Sequence, residues 1–420
     1  MFRKKLSEIG LAVIGAAGLC MAASQPASAA AFGAQTALQS ARFNSASCVI
    51  PNTGSIIVAG GETGVGAPTS AVDVYSSTFV QGAGLSINNG GTNAPRAEAR
   101  MIPVAGTDRC LLLGGRSAAA GTANTAMTEI FQYDESDDAW TKVGDLGIAR
   151  FNFEVVKISN TKFLVMGGQS LSNTYLDSIE VIDITVANPV TLAVARLTDN
   201  GAPATNINLS EPKANFQAVP IVGTSPFEVY VIGGENTNDA RGSVDRVTID
   251  GLNGGTVAAM ESLTNDGGPV RKNFVAFPIS KTISSVPYDI LITGGKDAAG
   301  NVLGSTYLYD IGTNDWQAET SLNLQNVSED LKACTNSAGD TLVVGGVNGA
   351  NTVASAQKWI DANDAWVDAD ANSVADVDTM LTSRFLFALE CAGTKAFVAG
   401  GVRKVSGNPD VILSSTELSP

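Results

Sequence analysis

Short apolar runs, each three or four residues long and each closed by a Gly-Gly pair, recur along the chain. They are Ile56-Ile57-Val58, Leu111-Leu112-Leu113, Phe163-Leu164-Val165-Met166, Val229-Tyr230-Val231-Ile232, Ile290-Leu291-Ile292, Leu342-Val343-Val344 and Phe397-Val398-Ala399. Apolar at successive positions and rich in β-branched residues, they read as strands covered on both faces. The pairs are Gly60-Gly61, Gly114-Gly115, Gly167-Gly168, Gly233-Gly234, Gly294-Gly295, Gly345-Gly346 and Gly400-Gly401, at steps of 54, 53, 66, 61, 51 and 55 residues. A period of that size predicts an array of similar units. Glycine at the end of each run lets the backbone take positive φ and lets another backbone or ring come close.

A second signature follows the pairs. Tyr133-Asp134 precedes Trp140, Tyr309-Asp310 precedes Trp316, and Trp359 precedes Trp366. Tyr75, Ile182-Asp183 and Ile249-Asp250 are weaker copies. Leu146 and Leu322 come next, and then a basic residue opens a new strand at Arg96, Arg150, Lys213, Arg271 and Arg384. Each unit therefore holds about four strand-like segments joined by Gly/Asn/Ser/Thr-rich turns.

These marks together resemble the kelch repeat, over roughly residues 32–418. The resemblance implies an all-β fold, a seven-bladed β-propeller with one four-stranded antiparallel blade per repeat around a central channel. The chain ends fit that ring. Phe32, Leu38, Arg42 and Phe43 repeat the spacing of Trp140, Leu146, Arg150 and Phe151. Residues 32–38 are thus expected as the outermost strand of a blade, and Asp410–Leu418 as the third strand of blade seven. The N-terminal strand would complete that last blade and remove two open edges.

Residues 1–29 read as a signal peptide, with Arg3, Lys4 and Lys5 before an apolar stretch too short to span a bilayer and Ala27-Ser28-Ala29 as a cleavage site. Cys20 suggests a lipoprotein, but Leu19 before it is a poor residue for that cleavage. Residues 30–420 form the propeller, and the expected location is secreted or periplasmic. Losing the leader moves the net charge from −15 to −17. That excess disfavours nucleic acid and anionic lipid as partners. No later run is long enough for a membrane span, and a monomer is expected.

Four cysteines remain, Cys48, Cys110, Cys334 and Cys391. In an exported chain an even count suggests disulfides. The repeat phase puts all four near the turn between first and second strands. Cys48–Cys110 with Cys334–Cys391 would each join neighbouring blades; Cys48–Cys391 is the rival pairing, and buried free thiols are the bland alternative.

The chain has no histidine. That excludes Ser-His-Asp and Cys-His catalysis and any His-ligated zinc or copper centre. Galactose oxidase carries a kelch-type propeller, but its copper chemistry needs histidine ligands. No P-loop or dinucleotide fingerprint occurs.

Candidate binding groups are the basic residues Arg42, Arg96, Arg150, Lys213, Arg271 and Arg384, which recur in six of the seven repeats, the sixth breaking the pattern near Asn326–Ser328. Asn44, Asn152, Asn215 and Asn273 follow four of them at the second position, and strand alternation would place each on the side of its basic partner. One reading is a ring of guanidinium and amide groups that holds a carboxylate, a sulfated sugar or an acidic peptide. The other is that each basic residue ties down the preceding loop through backbone carbonyls. Phe153, Phe216, Phe274 and Phe387 fall on the opposite side and read as inter-blade packing.

Asp368, Asp370, Asn372 and Asp376 have oxygens at positions one, three, five and nine of a calcium-type loop, without its glycine or its closing glutamate. No other cofactor is expected. Glu154 and Glu390 are channel candidates for paired-carboxylate chemistry. A few kelch propellers interconvert the anomers of sialic acid, but no residue set here selects that activity. The sequence thus points to a non-enzymatic binding protein for a protein or glycan ligand, recognised by the variable loops after each Gly pair. The alternatives are a histidine-free carbohydrate enzyme, resembling a sialic-acid mutarotase, and a calcium-dependent adhesin.

Overall fold

The computed structural model describes residues 32–419 apart from 79, 84–85, 90, 118–125, 171–173, 200–202, 224–225, 238, 251–256, 264–267, 284–285, 361–364 and 369–377. The expected signal segment lies outside the described residues. The chain forms seven antiparallel sheets in a ring, six of them with the inner-to-outer order in which the chain runs and the seventh completed by the N-terminal strand. Blade one runs Ala46–Val49, Ile56–Ala59, Val72–Tyr75 and Gln81–Ala83, and blade two Arg100–Val104, Arg109–Leu113, Glu129–Asp134 and Ala139–Asp145. Blades three to six begin their inner strands at Glu154, Gln217, Val275 and Lys332. Blade six adds a short Asp378–Thr379 strand beside Ser355 and Ala356.

Blade seven is built from both chain ends. Ala388–Ala392, Lys395–Ala399 and Thr416–Leu418 are its first three strands, and Gly33–Gln35 is the fourth, with Gly33 opposite Leu418 and Gln35 opposite Thr416. Phe32 is 1% exposed, and its N–H donates to the carbonyl of Thr379 in blade six at 3.0 Å. The third strand is shorter than the expected Asp410–Leu418, because Val411–Ile412 turns away to pair with Val402–Arg403.

The Gly pairs are the joints between blades. All seven have positive φ at both residues. The second glycine N–H of each pair donates to the backbone carbonyl that opens the next blade: Gly61 to Arg96, Gly115 to Arg150, Gly168 to Lys213, Gly234 to Arg271, Gly295 to Ser328, Gly346 to Arg384 and Gly401 to Arg42, all at 2.8–3.0 Å. A Cβ on Gly167 would stand 2.7 Å from the Lys213 carbonyl oxygen and 2.6 Å from the Phe216 ring. Phe153, Phe274 and Phe387 meet the preceding blade's first glycine in the same way, which is the expected inter-blade packing. The aromatic pairs staple third to fourth strands: Tyr133 faces Trp140, Tyr309 faces Trp316 and Trp359 faces Trp366.

Two disulfides join neighbouring blades, Cys48–Cys110 between blades one and two and Cys334–Cys391 between six and seven. Of the readings open in the sequence, the structure holds the inter-blade pairing. No helix among the described residues is long and apolar enough to cross a membrane.

Candidate functional site

The six basic residues expected to bind a ligand lie buried inside the joints between blades. Arg42, Arg96, Arg150, Lys213, Arg271 and Arg384 are each 0–1% exposed. Four of them meet a buried carboxylate on the third strand of their own blade: Asp73 at 2.5 Å from Arg42, Glu180 at 3.2 Å from Arg150, Asp245 at 3.2 Å from Lys213, and Glu417 against Arg384. Arg96 and Arg271 instead lie against the faces of Phe131 and Tyr307, at 4.5 and 5.2 Å. The guanidiniums of Arg96, Arg150, Arg271 and Arg384 also donate to the first-glycine carbonyls of Gly114, Gly167, Gly294 and Gly400. Burial lowers Arg96, Arg150 and Arg271 to about 10, so they remain cationic at neutral pH. Each is thus spent inside the joint it opens, which is the loop-tying alternative. The four acids were not singled out from sequence. Their signal is an Asp or Glu near the start of a repeat's third strand.

The asparagines do not share a face with their basic partners. Asn44, Asn152, Asn215 and Asn273 have φ of 54, 51, 52 and 55°, and Glu98, Asp330 and Leu386 occupy the same left-handed position in the other repeats at 55, 54 and 55°. A residue there is outside the strand, so period-two alternation does not reach it. These seven positions ring the channel mouth. Asn44 donates its backbone N–H to Leu386, Glu98 to Asn44, Asn152 to Glu98, Asn273 to Asn215 and Asp330 to Asn273, at 2.9–3.5 Å. Their amide side chains reach outward to the residue after a Gly pair: Asn152 to Gln169 at 3.3 Å and Asn215 to Glu235 at 2.7 Å. Asn44 shares in a rim network in which Arg116 is paired with Glu98 at 2.8 Å and with Glu62.

Below this ring lies the channel, with a cavity of about 500 Å³. Its polar lining is Ser45, Ser47, Arg100, Glu154, Gln217, Lys332, Thr335 and Glu390. Its apolar lining includes Ala218, Val219, Val275, Ala276 and Pro278 from blades four and five. Four of the polar groups sit at one offset: Arg100, Glu154, Gln217 and Lys332 each stand four residues after Arg96, Arg150, Lys213 and Ser328. Arg100 is paired with Glu154 at 2.9 Å. Glu390 accepts a hydrogen bond from Ser47 at 2.8 Å. The Lys332 side chain has neither ion pair nor hydrogen bond among the described residues.

The channel perturbs these groups. Burial pushes the Glu390 carboxyl up to about 6, against the opposing pull of Ser47 and Lys332. Burial, with Arg100 adding repulsion, lowers Lys332 to about 8. Asp330, at the mouth, is pushed up to about 7 by burial and by Glu329. All three are half-buried. Glu154 and Glu390 both line the cavity, as the sequence suggested, but Glu154 is held by Arg100. Of the calcium-loop residues, Asp370, Asn372 and Asp376 lie outside the described residues, and Asp368 ends the outer strand of blade six.

No protein-family model and no curated protein sequence matches the chain. Solved structures do. A fungal alcohol oxidase of the AA5 family, in complex with copper, aligns over 93% of this chain and 76% of its own at a TM-score of 0.63 and 15% identity. The structure of YjhT aligns over 90% of this chain and 99% of its own at a TM-score of 0.51 and 10% identity. The chain has the seven-bladed, kelch-like propeller fold. At these identities the likeness is one of fold alone. The copper of the fungal oxidase does not fit here. The chain contains no histidine, and among the described residues no three His, Cys, Asp or Glu side chains cluster as a metal set.

Proposed function

We propose that the protein is an exported recognition module that seats a small hydroxyl-rich ligand, such as the end of a glycan, in the central channel. The observation that carries this is the convergence of hydrogen-bonding side chains from six blades on one cavity that also has apolar lining. A sugar presents that combination, with hydroxyl edges and an apolar C–H face. The basic residues hold the blades together and leave recognition to Ser47, Gln217, Lys332 and the Arg100–Glu154 pair. The loops after the Gly pairs surround the mouth and select what reaches it.

Glycan-array screening followed by calorimetry tests this. Gln217→Ala and Ser47→Ala are expected to weaken a captured glycan by about tenfold each, the worth of a hydrogen bond in a shielded site. Undiminished affinity in both variants would move the seat to the rim loops and leave a protein partner as the reading to pursue.

A carbohydrate-active enzyme is the second reading, and Glu390 with Lys332 is the observation that favours it. One carboxylic acid raised to about 6 and one amine lowered to about 8 face the same cavity, which suits proton transfer near neutrality. On this reading, turnover of a sugar follows a bell-shaped pH profile with limbs near these two values, and Glu390→Gln removes the acid limb. A flat profile rules it out.

A further inference from the structure

The two disulfides differ in what surrounds them. Cys48 and Cys110 are 3% and 0% exposed, packed inside the apolar cluster between blades one and two. Cys334 and Cys391 are only half-buried, and Cys334 lines the channel cavity. Lys332 stands two residues before Cys334 on the same inner strand, on the same side, and lines the same cavity. Glu390 precedes Cys391 on the adjoining inner strand of blade seven.

The geometry points to Cys334–Cys391 as a thiol–disulfide exchange site reached through the channel, with the Cys334 sulfur as the atom attacked. The co-reactant is a small thiol in its thiolate form. Its sulfur bonds to Cys334 Sγ as the Cys334–Cys391 bond breaks, and the bonding pair leaves on Cys391 as a thiolate, which takes a proton from water. A second small thiol attacking its own kind on Cys334 completes a two-electron reduction and releases the small disulfide. The cavity admits a tripeptide-sized thiol, whereas a protein thiol would be kept at the mouth. The charges lining the cavity set the rate in opposite senses. Lys332 draws the incoming thiolate and Glu390 repels it, while Arg100 and Glu154 largely cancel. The mixed disulfide would fill the channel, so on the reading above it also displaces the channel ligand.

Peptide mapping of the native protein after brief exposure to glutathione, with an alkylating quench, is the test. The expected result is a glutathione adduct on Cys334 and an alkylated Cys391, with Cys48 and Cys110 still joined and their exchange slower by about tenfold or more, as burial requires. Lys332→Gln should slow exchange and Glu390→Gln should speed it, several-fold each, without moving the adduct; Lys332→Arg should restore the rate. Equal reaction of both disulfides, an adduct on Cys391, or rates blind to both charge changes would overturn the assignment. Ligand affinity is not used in this readout, so failure of the glycan reading leaves the test intact.

Discussion

At the scale of single residues, the left-handed position two residues after each blade opener is the most demanding in the repeat. It must tolerate φ near +54° and sit at the channel mouth, and in five repeats it gives its N–H to the neighbouring blade. Asparagine suits this and fills it in four repeats, because its short amide tolerates the left-handed region. Asp330 meets the backbone demand at an electrostatic cost. Its carboxyl is raised to about 7 by burial, with Glu329 and Glu235 adding repulsion and Lys296 and Lys332 only partly compensating. A carboxyl raised on folding stabilises the fold only while protonated. That contribution is complete below pH ~4, the unfolded value, and is lost as pH rises through about 7. Asp330→Asn is therefore expected to leave stability unchanged at pH 4 and to raise it at pH 8. The gain should be about 1–2 kcal/mol, discounted because Asp330 is only half-buried. Urea unfolding at the two pH values measures it. A variant no more stable than the parent at pH 8 would show that Asp330 carries no desolvation penalty.

At the scale of strands and joints, legibility followed from how much freedom each position has. The Gly pairs were readable because two constraints meet at every copy, a positive φ and a carbonyl 2.4–2.9 Å from any added Cβ. No other residue satisfies both, so the pattern survives in all seven repeats. The Tyr/Trp pairs were readable for a related reason, since cross-strand partners fix both ring positions. The basic openers were equally visible, yet their direction was not. Spacing says that a cation recurs, but it does not say whether the side chain points into the joint or into water. The deciding partners, Asp73, Glu180, Asp245 and Glu417, come 30 to 33 residues later, two strands further along the blade and beyond the reach of strand alternation counted from the opener. Glu154 and Glu390 were readable as channel groups, and the others were hidden by the same left-handed residue. It resets the strand phase, so the constant offset of Arg100, Glu154, Gln217 and Lys332 from the blade openers does not say that their side chains face the channel while the openers face the joint.

At the scale of the whole molecule, the ring has one seam unlike the other six. Between blades seven and one, the backbone crosses only from the Gly33–Gln35 strand to Arg42. Non-covalent contacts across it include the Gly401-to-Arg42 and Asn44-to-Leu386 hydrogen bonds, the Ser47–Glu390 contact, and an apolar cluster in which Ile56, Val58 and Tyr75 pack against Ala388, Phe397 and Ala399. With the leading strand in place, blade one cannot part from blade seven unless Gly33–Gln35 also unzips from Thr416–Leu418. The two openings are thereby made one cooperative event. A circular permutant separates them. Gly33 is paired with Leu418, so a short turn can join residue 419 to residue 32, leaving a chain that starts at Ala41. Every strand keeps its neighbours, and only the covalent crossing is lost. The permutant is expected to fold to the same ring. Amide exchange in Ala46–Val49, Ile56–Ala59, Ala388–Ala392 and Lys395–Ala399 should then quicken by about an order of magnitude or more, because the seam can open with blade seven whole. Strands at the blade three–four joint should keep their protection. Uniform exchange across the ring, matching the parent, would mean that side-chain packing holds the seam and the leading strand merely covers an edge.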